Sequence, residues 1–406
     1  MSAPDRLQAA KKESSHSRDP RGTFLFAPYE FAVTGLPGSG KTALAEALIE
    51  HFTRESGQRY RVGYVKQEPG EPQLAAERTD ATRARNAGAL ITHLLSEHGS
   101  AWLDDSATDE RTRRALLRNR WQDVDFVIAD GFAAAPIPKI VVVGEDARIL
   151  DEVAAGMIPA ITGYAVSDQH VAARRRCEQI AGSVPVYSVG ATGQIAGHIL
   201  ATFAERYQAV PLYGLVLSGG KSSRMKRDKG EIDYHGEPQV RHVHRLLEQF
   251  CERVLVSVRS RKASYRGLPL IVDTFRGLGP TGGILTAMHT YPEAAWLVVG
   301  CDMPFVTAAT VGELLAQRDP LRGATAFVSA ADGFPEPLCT VYEPAFRARF
   351  HQFLSIGIDC PRKALINSNV NRLSPSDPHA LSNVNTPDEY RSAVERLQRA
   401  AEGAHR

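Results

Sequence analysis

Short apolar runs recur along the chain, and stretches with helical periodicity separate several of them. In the first half, the apolar runs cover residues 24–35, 60–67, 124–132, 139–144, 160–167 and 184–190. A stretch of helical character, residues 42–57, follows the first run. Strand, helix and strand in repetition predict parallel pairing through right-handed crossovers. We therefore expect an α/β fold for this half of the chain.

A second series of apolar runs begins near Pro211. Its runs cover residues 212–220, 253–260, 268–273, 295–305 and 324–330. The stretch between the two series, residues 198–210, reads as a helix rather than a Gly/Ser-rich tether, which predicts a short and semi-rigid connection. We place the boundary near residue 209 and expect two α/β domains, at 28–208 and 209–406.

Length and composition agree with two domains. A chain of 406 residues exceeds the size at which one hydrophobic core keeps growing. With 48 Lys and Arg against 46 Asp and Glu, no broad surface for nucleic acid is expected. The five scattered cysteines form no CxxC pair, which is typical of a reducing compartment. No apolar run approaches a membrane span, so we expect a cytoplasmic protein whose polar residues 1–27 form a disordered tail.

A GLPGSGKT segment follows the first apolar run and precedes the first helical stretch, and it matches the P-loop pattern GxxxxGK[ST] at every position. Its glycines, Gly35, Gly38 and Gly40, let backbone N–H groups converge on phosphate oxygens at a helix N-terminus. Lys41 is placed to reach the terminal phosphates, and Thr42 to ligate Mg²⁺. The segment predicts a nucleoside triphosphate ligand.

A P-loop domain also needs an acid at the end of another strand to bind the metal through water. Asp130 ends the apolar run of residues 124–132, whereas Asp125 precedes the apolar positions and would lie at the opposite end of the strand. Lys66, at the end of the second run, has two interpretations: it faces the same site, or it is a solvated charge. Asp130 is therefore our candidate acid.

These segments, together with DATRARNAGA at residues 80–89 and IADGFAAAPIPKIVVV, resemble the molybdopterin-guanine dinucleotide biosynthesis adaptor of the MobB type over most of residues 28–205. The resemblance implies a domain that binds GTP, hydrolyses it slowly at best and assists a nucleotidyltransferase. Asp130 stands where that family often has Glu, which keeps the carboxylate. Gln67 stands where a His is common, which leaves that position without an assigned role.

A different glycine loop, LSGGKSSRMKRDKG, occupies residues 217–230. It lacks the lysine and threonine that close a P-loop, so a triphosphate must be held differently. Gly219 and Gly220 permit close approach of the backbone. Arg224 suits bidentate contact with phosphate, and Lys229 supplies a point charge. We predict a second phosphate-binding site in this loop.

Two acids in the second half follow apolar runs. Asp302 comes after the run of residues 295–300 and Asp273 after LPLIV, at the carboxyl ends of predicted strands, where open α/β sheets bind ligands. An Asp in that position is a credible Mg²⁺ ligand. Asn383 and Asn385 either complete the metal shell with their side-chain carbonyls or form a turn.

The segments LSGGKSSRMKRDKG, GLGPTGGI, CDMPF, EPL at residues 336–338 and NVNTPDEY closely resemble the molybdenum cofactor guanylyltransferase of the MobA type, in family order, over residues 211–395. The resemblance implies a Rossmann-like nucleotidyltransferase domain that transfers GMP from Mg·GTP to molybdopterin and releases pyrophosphate. The GTP-site residues that it implies are Leu217, Ser218, Gly219, Lys229, Arg259, Asp273 and Asp302, with Asp302 also holding Mg²⁺. Arg259 replaces a frequent Asn and Lys226 a frequent Gly, and we expect Lys226 to point to solvent.

The resemblance leaves three alternatives. Cytidylyltransferases that act on the same pterin tend to have AAG where this chain has SGG, and they lack GPTGG. A sugar-phosphate nucleotidyltransferase fits CDMPF and NVNTP less well. A cofactor-handover module switched by GTP is the alternative of another class. The expected partners are GTP and molybdopterin, with molybdoenzymes or other cofactor-biosynthesis proteins and homo-oligomers left open.

Overall fold

A computed structural model describes residues 29–55, 60–67, 91–96, 99–104, 123–218 and 228–404. In its first half the strands are β1 (Tyr29–Thr34), β2 (Val62–Lys66), β3 (Ile91–Ser96), β4 (Gly99–Asp104), β5 (Phe126–Asp130), β6 (Lys139–Val143), β7 (Ile161–Val166) and β8 (Val186–Ser188). Each apolar run predicted for this half contains a strand. The predicted tail at residues 1–27 lies outside the described residues.

Six of these strands form one sheet in the order β2-β5-β1-β6-β7-β8, and every neighbouring pair is parallel. β5 and β6 are buried along their whole length, as expected of interior strands of a parallel sheet that is covered on both faces. β3 and β4 form a separate antiparallel pair. The parallel arrangement expected from the sequence is confirmed for this sheet.

Helices cover both faces of the first sheet. They are α1 (Lys41–Glu50), α2 (Ile149–Ala154), α3 (Val171–Ala181) and α4 (Thr192–Gln208), and α1 continues into a π-helical turn at His51–Glu55. Leu48 of α1 and Phe203 of α4 pack on one face, and Leu150 of α2 and Cys177 of α3 pack on the other. The carboxyl ends of the strands, where the P-loop lies, therefore stand on a fully packed core.

The second half contains a seven-stranded sheet. Its strands are β9 (Leu212–Leu217), β10 (Arg253–Val258), β11 (Leu270–Val272), β12 (Ala295–Gly300), β13 (Ala324–Val328), β14 (Pro335–Tyr342) and β15 (Asn371–Leu373), in the order β11-β10-β9-β12-β14-β13-β15. β14 is antiparallel to both of its neighbours, and the other pairs are parallel. Because β14 is antiparallel, this sheet is mixed rather than parallel throughout. The sequence analysis did not predict β14.

The helices of the second half again cover both faces of the sheet. They are α5 (Gln239–Leu247), α6 (Gly279–Thr290), α7 (Ala308–Ala316), α8 (Phe346–Ser355), α9 (Pro361–Ile366) and α10 (Pro387–Ala404), with 3₁₀ turns at Lys229–Glu231 and Ala263–Tyr265. Leu247 of α5 and Leu314 of α7 belong to one core cluster, and Ile284 of α6 and Phe350 of α8 to the other. In the part of the chain that is described, no helix combines the length and apolarity needed to cross a membrane.

The two halves pack against each other. Leu321 from the second half joins the core cluster of α1 and α4, and Tyr207 at the end of α4 contacts core clusters of both halves. Burial raises the pKa of Tyr60, which faces Asp319, to about 12. The helix that links the halves, α4, is therefore part of their interface rather than a free tether.

Candidate functional site

The P-loop has the backbone that its glycines predict. Gly38 and Gly40 have φ angles of 80° and 88°, in the left-handed region that favours glycine. At Gly35 an added Cβ would lie 2.8 Å from the backbone oxygen of Val142, so the close approach of the loop to β6 requires glycine. α1 begins at Lys41, directly after the loop. Backbone N–H groups at a helix N-terminus form a favourable site for phosphate oxygens.

Thr42 and Asp130 meet at the carboxyl ends of β1 and β5. Thr42 Oγ1 donates to Asp130 Oδ2 at 2.7 Å, and the Tyr64 hydroxyl donates to the same oxygen at 3.1 Å. Asp130 is fully buried, and its Oδ1 accepts no hydrogen bond from the residues that the structure describes. A buried carboxylate oxygen beside a threonine hydroxyl fits the oxygen ligands that Mg²⁺ prefers. Tyr64 was not identified from the sequence, because an aromatic residue in a strand reads as a packing residue.

Lys66 pairs with Asp130 in the β2–β5 register and is exposed. Gln67, which had no assigned role, organises the turn after β5. Its Oε1 accepts a hydrogen bond from Phe132 N at 2.9 Å, and its own N–H donates to Asp130 O at 3.0 Å. Phe132 has a φ of 52°, an uncommon backbone conformation for a bulky residue. The glutamine therefore stabilises a strained turn next to the candidate acid.

In the second half, Lys229, Asp302 and Asn385 converge although they lie far apart in sequence. Lys229 Nζ is 3.0 Å from Asp302 Oδ2 and 2.6 Å from Asn385 Oδ1. The Lys229 and Asp302 side chains are 17% and 18% exposed, so the ion pair is largely buried but accessible to solvent. The structure thus uses the Asn385 carbonyl to hold the lysine, a role that the sequence analysis did not assign.

The position of Asp302 depends on two backbone features. A Cβ added to Gly300 would lie 2.6 Å from Asp302 Oδ1, so the strand end must be glycine for the carboxylate to turn inward. Val384 N donates to Asp302 O at 2.8 Å and ties the NVNTP segment to this loop. Asp302 Oδ1 is buried and has no hydrogen-bond partner among the described residues, which fits a carboxylate that ligates a cation.

A second cluster fixes the turn that carries Lys229. Asp228 caps the turn by accepting from Gly230 N at 3.1 Å, and it also accepts from the Tyr265 hydroxyl at 3.1 Å and from Lys262 Nζ. A Cβ on Gly230 would lie 2.1 Å from the Tyr265 hydroxyl oxygen, so only glycine fits there. Lys262 and Tyr265 were missed, since nothing in sequence places residues 262–265 beside the RDKG segment.

The third part of the site lies at the ends of β9, β10 and β11. Ser218, directly after Leu217, is buried and donates to Ser257 O at 2.8 Å, and Ser257 Oγ donates to Asp273 Oδ1 at 2.7 Å. Burial raises the pKa of Asp273, although the Ser257 hydrogen bond and the charge of Arg259 oppose the shift. Gly283 in α6 lies so close that an added Cβ would stand 2.4 Å from Ser257 Oγ. The carboxyl ends of these strands therefore carry Leu217, Ser218 and Asp273 on the same side of the sheet as Asp302, which follows β12.

Two of the remaining predicted residues lie at the surface. Arg259 is exposed directly after β10, and Asn383 is exposed on the segment before α10. Gly219, Gly220, Arg224 and Lys226 lie outside the described residues, so their predicted roles stay predictions.

Glu336, within the EPL segment, is almost fully buried at the start of β14. It accepts from Leu338 N at 3.0 Å and from Arg362 Nη2 at 2.5 Å. Burial raises its pKa, and the charge of Asp302 adds to the shift, which places the two carboxylates in one electrostatic environment. The geometry gives Glu336 a role in fixing β14 next to the Asp302 loop.

Both halves match known families. Residues 31–159 match the family described as molybdopterin guanine dinucleotide synthesis protein B, and residues 214–373 match the MobA-like NTP transferase domain. A solved structure, the molybdopterin-guanine dinucleotide biosynthesis protein A from Archaeoglobus fulgidus, is 22% identical, with 46% of this chain and 99% of that chain covered and a TM-score of 0.39.

Two curated relatives are informative. The molybdenum cofactor biosynthesis bifunctional protein of Synechocystis sp. is 38% identical over 183 residues, which cover 44% of this chain and 53%, about half, of that relative. A molybdenum cofactor guanylyltransferase of Pseudomonas putida is 30% identical over 179 residues, which cover 43% of this chain and 93% of that relative. Since nearly the whole of the Pseudomonas protein is matched, the chain belongs to the molybdenum cofactor guanylyltransferase family of nucleotidyltransferases.

Proposed function

We propose that this chain transfers GMP from GTP to the terminal phosphate of molybdopterin, or of Mo-molybdopterin, giving the guanine dinucleotide cofactor and pyrophosphate. The observation that carries the proposal is the cluster of Lys229, Asp302 and Asn385. It lies at the carboxyl ends of β9 and β12, where the strand order reverses between β10 and β12, and ligands bind at such a switch point in open α/β sheets.

The reaction is an attack by a phosphate oxygen of the pterin on the α-phosphorus of GTP. The new P–O bond forms as the bond to pyrophosphate breaks. An ionised phosphate needs no general base, so catalysis rests on alignment and charge neutralisation. The Lys229 ammonium, oriented by Asp302 and Asn385, is the described cation placed to stabilise charge on the leaving pyrophosphate. Arg224 of the same loop is proposed to share that task.

A magnesium ion is part of the proposal. Asp302 would hold it, because one of its carboxylate oxygens is buried without a hydrogen-bond partner among the described residues. When bound, the ion supplies neutralisation of the triphosphate charge. Asp273 and Ser218 lie at the same carboxyl end of the sheet, and we assign them to binding the nucleoside end of GTP.

The P-loop domain is proposed to bind a second GTP in a supporting role. The backbone of Gly38 and Gly40 and the Thr42–Asp130 hydrogen bond support triphosphate binding with Mg²⁺. The region matched by the synthesis protein B family is the one that carries these groups. Molybdoenzymes and other cofactor-biosynthesis proteins are the expected partners of this domain.

Nucleotide choice tests the main proposal. Purified protein is incubated with molybdopterin, Mg²⁺ and either GTP, CTP or UTP, and pyrophosphate release is measured. We expect release with GTP alone. Release with CTP would favour a cytidylyltransferase, and failure to release pyrophosphate with any of the three nucleotides would favour a cofactor-handover module.

Substitution of the metal-site acid tests the assignment of the site. Asp302→Ala should lose transfer while its circular dichroism spectrum and unfolding curve stay close to those of the unsubstituted protein. Asp388→Ala, which removes an 85%-exposed carboxylate on α10, is the matched control and should retain transfer. Near-normal turnover in Asp302→Ala would contradict the assignment.

A further inference from the structure

We infer that the two nucleotide sites of one chain lie at opposite ends of the molecule, so that the P-loop nucleotide is never the guanylyl donor for the Asp302 site of the same chain. The identity of the ligand rests on the function proposed above. The inference itself rests on the direction of the strands and on the contacts between the two halves.

In the first half, β5 runs from the domain interface to the P-loop site. Asp125 directly precedes β5 and Asp130 ends it. Asp125 is fully buried, and its Oδ1 accepts from Asn369 Nδ2 of the second half at 2.5 Å. At about 3.3 Å per residue, the strand separates the interface from Asp130 by about 16 Å. The sequence analysis rejected Asp125 as a site residue because it precedes the strand. Asp125 thus lies at the opposite end of the domain from the P-loop.

In the second half, the strands also start at the interface. Trp296 of β12 and Ala324 of β13 both pair with Tyr342 of β14, so β12 and β13 start at the same level and run in the same direction. Asn369 lies two residues before the start of β15, which is parallel to β13. Asp302 lies beyond the far end of β12, about 20 Å from its start.

The interface is specific enough to keep these directions fixed. Arg322 lies 3.7 Å from Asp125 Oδ1, and Arg349 of α8 donates to Asp123 at 2.9 Å. Leu321 is inserted into the core cluster of the first half. A buried carboxylate with a hydrogen-bond donor and a cation from the other half resists separation, because removing either partner leaves a charge without compensation.

The chemistry requires the reacting atoms to be in contact. Nucleophile and phosphorus must approach to about 3–3.5 Å, whereas the two sheets meet at the starts of their strands and carry their sites at the far ends. A single GTP cannot contact Lys41 and Lys229 together. Each chain therefore binds two nucleotides, and the P-loop end is directed away from the transfer site of its own chain.

Distance measurement between spin labels tests the geometry. One label replaces Glu145, an exposed residue beside the P-loop, and the other replaces Arg276, an exposed residue between β11 and α6. The accessible thiols are first removed by Cys251→Ser and Cys360→Ser. We expect a main distance above about 30 Å by double electron–electron resonance, with or without Mg²⁺ and a non-hydrolysable GTP analogue. A main distance below that value would overturn the inference.

A matched pair of labels crosses the interface. Arg61→Cys and Gln317→Cys introduce labels beside the cavity of about 680 Å³ between the halves, which Tyr60 and Gln317 both line. This pair should give a clearly shorter distance than the first pair. If the two pairs give the same distance, the described interface is wrong and the inference fails.

Stoichiometry provides a second test on the full chain. Equilibrium dialysis with a GTP analogue that carries a methylene group between the α- and β-phosphorus should give two molecules bound per chain, and one in Lys41→Ala. One molecule bound per unsubstituted chain would contradict two separate sites. Absence of guanylyl transfer would disprove the proposed function but would leave the label distances unchanged, so the two failures are distinguishable.

Discussion

Lys229 is held by two oxygens, from Asp302 and from Asn385, that come from different segments of the chain. Asp302 is anchored through its own carbonyl oxygen to Val384 N, one residue before Asn385. The NVNTP segment therefore fixes both the lysine and the acid. At the scale of single residues, we expect the site to depend on this amide as well as on its charged groups.

Asn385→Ala should lower kcat for guanylyl transfer by about ten- to a hundredfold, because a lost hydrogen bond to a charged group costs about 1.5–3 kcal/mol. The effect on KM for molybdopterin should be smaller, since the amide positions Lys229. The control is Asn371→Ala, which removes an amide that donates to Gln317 O instead of to a residue of the candidate site. Equal kinetics in the two variants would show that Asn385 does not position the lysine.

The buried carboxyl of Asp273 predicts a pH effect on stability. Because burial raises its pKa in the folded state, the ionised form destabilises the fold at neutral pH, and the penalty is relieved as the pH falls through that pKa. Asp273→Asn keeps an oxygen that can accept from Ser257. We expect this variant to have a higher Tm than the unsubstituted protein at pH 7.5 and weaker GTP binding.

The Tm difference should shrink as the pH falls from 7.5 into the acidic range, because the carboxyl of the unsubstituted protein becomes neutral as the pH falls through its raised pKa. Differential scanning calorimetry across this range measures it. A Tm difference that does not change with pH would mean that the charge of Asp273 is not the cause.

At the scale of elements, strand ends decide where chemistry can occur. β12 ends in Gly300, and the chain then turns so that the Asp302 carboxylate occupies the space that a Cβ at residue 300 would need. Gly283 in α6 likewise lets the helix approach Ser257. These glycines serve contacts between elements rather than turns, because neither residue has a positive φ.

Gly300→Ala should reduce transfer by at least tenfold, because the added methyl displaces the Asp302 carboxylate, which we propose as the metal ligand. Gly312→Ala is the matched control: it lies within α7, where an added Cβ meets nothing within 4 Å. Alanine there should leave transfer unchanged and stabilise the helix by about 0.5–1 kcal/mol. Activity assays with urea unfolding measure both effects, and full activity of Gly300→Ala would exclude the steric argument.

For the whole molecule, the interface between the two halves is built around a buried acid. Asp125 accepts from Arg61 N at 2.7 Å within its own half and from Asn369 across the interface. Burial raises the pKa of Asp125, although both hydrogen bonds oppose the shift. Burial of this carboxylate therefore costs free energy, and a hydrogen-bond donor from the other half offsets part of that cost.

Asn369→Ala should destabilise the protein by about 1–3 kcal/mol, since it leaves a buried carboxylate oxygen without its donor. We expect urea unfolding to change from one transition toward two, as the halves lose their coupling. Asn371→Ala, two residues away on the same segment, should change the free energy of unfolding by no more than about 1 kcal/mol, because it removes one exposed hydrogen bond to a backbone oxygen. Identical curves for the two variants would contradict the role given to Asn369.

Much of this protein follows from its sequence alone. Apolar runs predicted every strand of the first sheet, because its interior strands are continuously apolar and its edge strands, β2 and β8, lie within shorter apolar runs. The P-loop was equally predictable, since its glycines, Lys41 and Thr42 are adjacent in sequence and their local geometry depends on few other residues. Asp130 and Asp302 could be placed at the carboxyl end of a sheet because each follows an apolar run, and this inference does not require knowledge of which strands are adjacent.

Only the tertiary structure decided which distant residues meet. The contact of Lys229 with Asn385, the anchoring of Asp228 by Lys262 and the burial of Asp125 against Asn369 all join segments whose sequences contain no signal for each other. β14 was missed for a related reason, since its EPL segment reads as a motif and its partners are set by the sheet. The relative direction of the two sites follows from how the two sheets dock. The docking is determined by packing between whole surfaces of the two halves, which no local sequence pattern specifies.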